Sequence, residues 1–203
     1  MKSPITRVLV VYKKSAYQLY ARERRDPHLR RLLRQRHPDA ADLRRAHAVH
    51  QQTLDAVVKS LERVAVRHTL VYRASLRTAS GYDLVVSIGG DGTVLQASHV
   101  VGATPLLGVN SDPKRSEAVF CAATRHNFEP LFRKALAGSL GRSLLYRLQV
   151  FLNGRALSPL VLNDVLIAHD DPATMSRYRL RIGSRCEDQK SSGVWVATAA
   201  GSS

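Results

Sequence analysis

Apolar residues are spaced along this chain in short blocks whose period changes from one segment to the next. "RVLVVY", residues 7–12, is a β-branched apolar block bounded by "KKS", the pattern of a buried strand. Between about Asp42 and Val66 the spacing lengthens. Val49, Leu54, Val57, Val58, Leu61 and Val64 recur near helical intervals, which predicts a helix there. "TLVYR" (69–73), "DLVVSI" (83–88) and "TPLLGVN" (104–110) are three further short strands, with helical material between the last two. Strand, helix, strand, turn, helix, strand is the order of a parallel α/β sheet. "NFEPLFRKALAG", residues 127–138, is a short helix that Gly138 ends. Beyond it a period of two takes over. "RSLLYRLQVFLNGRALSPLVLNDVLIAH" alternates about Asn153-Gly154, a pair that accepts positive φ and marks a hairpin. "SRYRLRIG" and "GVWVATAA" continue as strands. The expected architecture is an α/β domain over residues 1–140, with a parallel sheet, and the start of an all-β domain over 141–203, the boundary lying near 138–143.

A chain of 203 residues is long enough to bury a sizeable core. No apolar run approaches the ~20 residues that cross a bilayer, and no signal-peptide pattern precedes Arg7. A cytoplasmic protein with no membrane partner is expected. Cys121 and Cys186 stand far apart without a CxxC pair, and read as reduced thiols with no metal or redox role. The formal net charge of +15 favours anionic partners such as nucleotides or polyphosphate. Its densest block, residues 21–47, scatters acids among the arginines and lacks aromatic interleaving. That composition suits a solvated helical surface with capping turns better than a nucleic-acid site, so no nucleic-acid partner is expected.

The chemistry concentrates at "DLVVSIGGDGTVLQASHVV", residues 83–101. A turn from the C-terminal end of a parallel strand into a helix exposes backbone N–H groups to an anion. Gly89, Gly90 and Gly92 remove side chains that would hold a phosphate off the backbone, and Thr93 can cap the helix or bind a phosphate oxygen. Asp91 makes little sense as a phosphate ligand, because two anions repel. It suits a general base for a hydroxyl or a partner of a magnesium ion; as bare turn chemistry it would be a helix cap. No lysine of the Walker type is present in the turn, nor the GxGxxG order of a dinucleotide fingerprint.

With GGDGT at 89–93, "VLNDVLIAH" at 161–169 and "SSGVWVATAAGSS" at 191–203, in that order, the chain resembles the NAD kinase family across most of its length. "GVNSDP", "FCAAT", "LNDVLIAH" and "ATAAGSS" resemble the branch that contains plant NADH kinase. The resemblance implies a β-sandwich for the second domain. It implies phosphoryl transfer from ATP, or inorganic polyphosphate, with Mg²⁺, to the 2′-hydroxyl of the adenosine ribose of NAD or NADH, giving NADP(H). Asp91 would take the proton from that hydroxyl, while Gly89, Gly90, Gly92 and Thr93 hold donor phosphates. Lys13 or Lys14 would offset their charge; as bare chemistry both are ordinary solvated lysines. Asn163 and Asp164 match the pair that recognises the adenosine part of NAD, with Asp164 where the family has glutamate. Without the resemblance, an Asn-Asp pair in a strand is a bulge or a buried polar network. Thr198, Gly201 and Ser202 match the second glycine motif, where small residues let a strand end pass close to the dinucleotide; by composition alone they are a flexible tail. The family is commonly homo-oligomeric, so a dimer or tetramer is expected.

Three departures from the family pattern stand out. Ser192 replaces an aspartate that contacts the dinucleotide, Ala122 and Ala123 replace an aromatic pair near the adenine, and Ser203 falls inside the second glycine motif. A chain that stops there is expected to be a fragment with unpaired edges and exposed apolar surface. His169 reads as structural or surface, and Asp170, Asp171 and Pro172 as a turn. Two rival functions fit fewer of these features: a lipid kinase, which usually follows GGDGT at once with Asn-Glu rather than "VLQAS", and a basic, non-catalytic nucleotide- or nucleic-acid-binding protein.

Overall fold

A computed structural model describes residues 4–202. The chain forms two compact units that divide between Arg142 and Ser143. In the first, five strands form one parallel sheet: β1 (Arg7–Tyr12), β2 (Arg67–Tyr72), β3 (Leu84–Gly89), β4 (Leu106–Asn110) and β5 (Ala123–Thr124), in the order β2-β1-β3-β4-β5. Four α-helices accompany them: α1 (Pro27–Arg34), α2 (Pro38–Arg63), α3 (Asp91–Ser98) and α4 (Phe128–Leu136).

Strand alternation divides the core into two faces. Val8, Val10, Val86 and Ile88 point to one side, where they meet Val57 and Leu61 of α2 and Phe128 and Phe132 of α4. Leu9, Val11 and Val85 point to the other side, against Ala97 of α3 and Val101. Each fully buried Val, Leu or Phe contributes about 1.5–3 kcal/mol, which is why these continuous apolar runs form strands covered on both faces.

Several boundaries differ from the sequence expectation. The long helix begins at Pro38 rather than near Asp42, because proline's fixed φ suits the first helical position. It stops at Arg63, and Ala65 turns the chain with φ of +53°. The arginine block yields α1, whose N-terminus is capped by Asp26: its carboxylate accepts the Leu29 N–H at 2.7 Å. Strand β5 has only two residues, too short to show a period.

The second unit is antiparallel β. β6 (Phe151–Leu152) and β7 (Arg155–Ala156) flank Asn153 and Gly154, whose φ angles of +50° and +77° make the expected tight turn. The long alternating run does not continue as one hairpin. Leu148 bridges Val161, and then β8 (Asp164–Ile167) leaves to pair with β11 (Val194–Ala197). β9 (Ser176–Ile182) and β10 (Arg185–Ser191) form the third pair. Large apolar side chains lie on the surface of this unit, among them Leu144 and Tyr146, at 81% and 80% exposure, and Trp195.

Candidate active site

In the order β2-β1-β3-β4-β5 the chain leaves β1 toward one side and returns to pair β3 on the other. The C-terminal ends of β1 and β3 therefore border the crevice where open α/β sheets take ligands. Lys13 follows β1 there, and Gly89 and Gly90 lead from β3 into α3.

Gly90 is extended and its carbonyl accepts the Thr93 N–H at 2.9 Å, so α3 starts directly at Asp91. The first amides of a helix lack intrahelical partners and carry partial positive charge. Gly92 lies exposed at that end. Gly89 is required for packing: a Cβ there would come within 2.9 Å of the Thr93 Cβ. Thr93 fills that space, is 1% exposed, and has a hydroxyl buried without a partner. It makes no side-chain cap, unlike the cap expected from sequence. Gly89→Ala is expected to destabilise the protein by about 1–3 kcal/mol through overpacking. Adding Thr93→Ala should recover part of that loss in urea melts.

Asp91 is half-buried, and its two oxygens accept the Phe120 N–H at 2.8 Å and the Val119 N–H at 3.0 Å. Its carboxylate thus ties the 118–120 turn to the glycine turn rather than capping α3. Asn110, at the end of β4, builds the intervening loop: its amide donates to the Ser116 carbonyl at 2.7 Å and accepts the Asp112 N–H at 3.0 Å. Ser116 is thereby placed with its hydroxyl 3.3 Å from where a Gly90 Cβ would sit.

The two lysines after β1 separate clearly. Lys14 bonds Glu23 at 2.9 Å and lies 4.7 Å over the Tyr72 ring, and the Glu23 bond raises its pKa. Lys13 instead lies along Gly89, its Cδ 3.5 Å from the Cβ position. Burial, and then the neighbouring Arg73 guanidinium, hold its ammonium below the ordinary lysine value against the opposing pull of Asp112. Arg73, just past β2, reaches within 3.6 Å of the Cβ position at Gly92. Sequence reasoning missed Arg73, although its place at the end of a parallel strand is a usable signal. Two cations therefore converge on the glycine turn. Cys121 is a free thiol, and burial followed by the Asp91 charge pushes it up to about 12, so it is chemically quiet.

In the second unit the remaining expected residues come together. Asp164 pairs with Ala197 across β8 and β11, and the Asn163 carbonyl accepts the Thr198 N–H at 2.8 Å. Thr198 is buried; its hydroxyl donates to the Leu162 carbonyl at 2.5 Å and accepts the Gly201 N–H at 3.0 Å. A Cβ on Gly201 would lie 2.5 Å from the Asn163 Cα, so this glycine permits close approach to the protein's own backbone. The Asn163 side-chain oxygen is buried without a partner. Ser202 is exposed and its hydroxyl donates to the Ala199 carbonyl at 3.2 Å. His169 sits in the 169–174 turn, where it accepts the Asp171 N–H at 3.0 Å. Ala123 belongs to the sheet core rather than to an open pocket.

Among the described residues no group of three or more His, Cys, Asp or Glu side chains is arranged to hold a metal, and no helix is long and apolar enough to cross a membrane.

The family model for the ATP-NAD kinase N-terminal domain matches residues 7–129, which span the whole parallel sheet and the glycine turn. The chain is 38% identical over 177 residues to a probable NADH kinase of Oryza sativa subsp. japonica, covering 76% of this chain and 54% of the relative. It is 26% identical over 198 residues to human NAD kinase 2, mitochondrial, covering 92% of this chain and 44% of that one. Over a shorter stretch of 91 residues it is 37% identical to an NADH kinase of Arabidopsis thaliana, covering 37% of this chain and 29% of that one. The chain thus spans about half the length of the curated relatives it matches most extensively. A parallel sheet matched across its full width, with GGDGT at its switch point, places this chain in the ATP-NAD kinase family.

Proposed function

We propose that the whole protein is a phosphotransferase that moves a phosphoryl group from ATP or polyphosphate to the 2′-hydroxyl of the adenosine ribose of NAD(H), giving NADP(H). The observation that carries this is the convergence of Lys13 and Arg73 on a glycine turn that also holds the Asp91 carboxylate. Two cations held side by side are mutually repelled unless an anion joins them, and a phosphate chain is such an anion. Lys13, Arg73 and the first amides of α3 bind and orient the donor, with the backbone of Gly89, Gly90 and Gly92 allowing close approach. Asp91 accepts the hydroxyl proton as the new oxygen–phosphorus bond forms and the donor's bridging bond breaks. Each of its oxygens already accepts one amide and keeps a lone pair for that proton. Mg²⁺ would be carried mainly on the phosphates, with the Asp91 carboxylate in the turn beside them. When bound, it neutralises phosphate charge.

Asn163, Asp164, Thr198, Gly201 and Ser202 are assigned to the adenosine part of the dinucleotide. Support comes from the unpartnered Asn163 oxygen, an acceptor that a ligand N–H or hydroxyl can satisfy. The same proposal includes a β-sandwich for the complete second domain, a cytoplasmic location and a homo-oligomer. The relatives are named NAD kinases and NADH kinases, which gives no support to the lipid-kinase and nucleic-acid rivals. The test is an NADP(H)-formation assay crossing NAD and NADH with ATP and polyphosphate. Product with at least one pair is expected, and no product with any pair overturns the proposal.

A further inference from the structure

The donor site described above leaves a buried polar stripe on α2 unexplained. His47, His50 and Thr53 stand three residues apart and are 8%, 1% and 1% exposed. That spacing keeps them on one side of the helix. Each reaches a loop that leaves the C-terminal edge of the sheet. His50 Nε2 lies 2.7 Å from the Lys13 carbonyl, His47 Nδ1 lies 2.9 Å from the Ser15 hydroxyl, and the Thr53 hydroxyl donates to the Ser111 carbonyl at 3.2 Å.

A carbonyl oxygen can only accept, so His50 carries its proton on Nε2. Its Nδ1 is then a bare acceptor, buried without a partner. Burial, with smaller contributions from Lys13 and His47, brings the His50 imidazole down to about 4 despite the bond to the Lys13 carbonyl. It is therefore a neutral, permanent donor at ordinary pH. An apolar side chain would suit so buried a position better, since it would leave no orphaned nitrogen. What the histidine supplies is the bond to Lys13.

We propose that His50 is the positioning residue for Lys13. Its hydrogen bond holds the backbone just past β1 so that the Lys13 side chain lies along Gly89, toward Arg73, rather than out in solvent. Ser15, held by His47 and accepting the Gln18 N–H at 3.1 Å, secures the same loop two residues on. The inference rests on the assignment of Lys13 to the donor phosphates and adds the residue that makes that assignment possible.

The test compares His50→Leu with His50→Gln in the whole protein, because a glutamine amide can still reach the carbonyl. The first readout needs no enzymatic activity: the pH profile of acylation of the Lys13 amine, followed by mass spectrometry. In His50→Leu the midpoint is expected to rise toward the ordinary lysine value of about 10.4, while His50→Gln keeps the wild-type profile. The second readout is kinetic. KM for ATP should rise about tenfold in the leucine variant, as for a displaced binding group, with KM for the dinucleotide unchanged and the glutamine variant restored. Where His50→Leu does not fold, His50→Asn, whose amide stops short of the carbonyl, takes its place. An acylation profile that is the same in all variants overturns the inference. A protein without kinase activity would defeat the functional assignment and leave the acylation comparison decisive.

Discussion

Asp91→Asn is expected to lower turnover by roughly 10²–10⁴ while NAD still binds. The substitution keeps the shape of the side chain but removes the group that takes the proton. It has a structural effect as well. Asp91 accepts N–H groups from both Val119 and Phe120. An asparagine offers one acceptor to that pair and turns its own NH₂ toward the other amide, leaving a donor facing a donor. A loss of about 1–3 kcal/mol is therefore expected alongside the kinetic defect. Initial rates of NADP(H) formation and calorimetric NAD binding separate the two effects, because a merely unfolded variant loses both. Unimpaired turnover in a folded Asp91→Asn protein rules out the carboxylate as the base.

Phe132→Ala is expected to lose about 3–5 kcal/mol of stability. Phe132 is fully buried on the α2 side of the sheet, stacked on Phe128 with ring centroids 5.5 Å apart and an interplanar angle of 11°. Alanine there removes one ring and leaves the other facing a cavity. The neighbours are strand residues such as Val109 and Ile88, whose backbone is held by the ladder and cannot collapse into the gap. Urea denaturation measures the loss. A change below about 1 kcal/mol would place α4 somewhere other than against this face.

Much of the first unit was legible along the chain. β1, β3 and β4 are short apolar runs, and their buried position on both faces follows from composition alone. The helix over Phe128–Leu136 and the Asn153-Gly154 turn were equally local signals, set by spacing and by the few residues that tolerate positive φ. β5 carried no such signal, since its two residues are held only by pairing with Val109 and Asn110. The long alternating run after residue 142 read as one hairpin, because alternation reveals that a strand exists but not which strand it joins. β8 pairs with β11, about thirty residues later, and no local pattern encodes that partner.

The same division runs through the candidate site. GGDGT announced a tight strand-to-helix turn because glycines before a helix have a backbone consequence that needs no tertiary context. The sequence by itself also marked Asn163-Asp164 as unusual for a strand, whereas Thr198, Gly201 and Ser202 stood out only through the family resemblance. Only the tertiary structure decided that Thr93 packs on Gly89, that Asp91 is tied to the 118–120 turn, and that Lys13 rather than Lys14 lies along the glycines with Arg73 opposite. The physical reason is that backbone conformation is written within a few neighbouring residues. Which charges meet depends instead on how the strands are ordered, and that order is settled by packing both sheet faces at once.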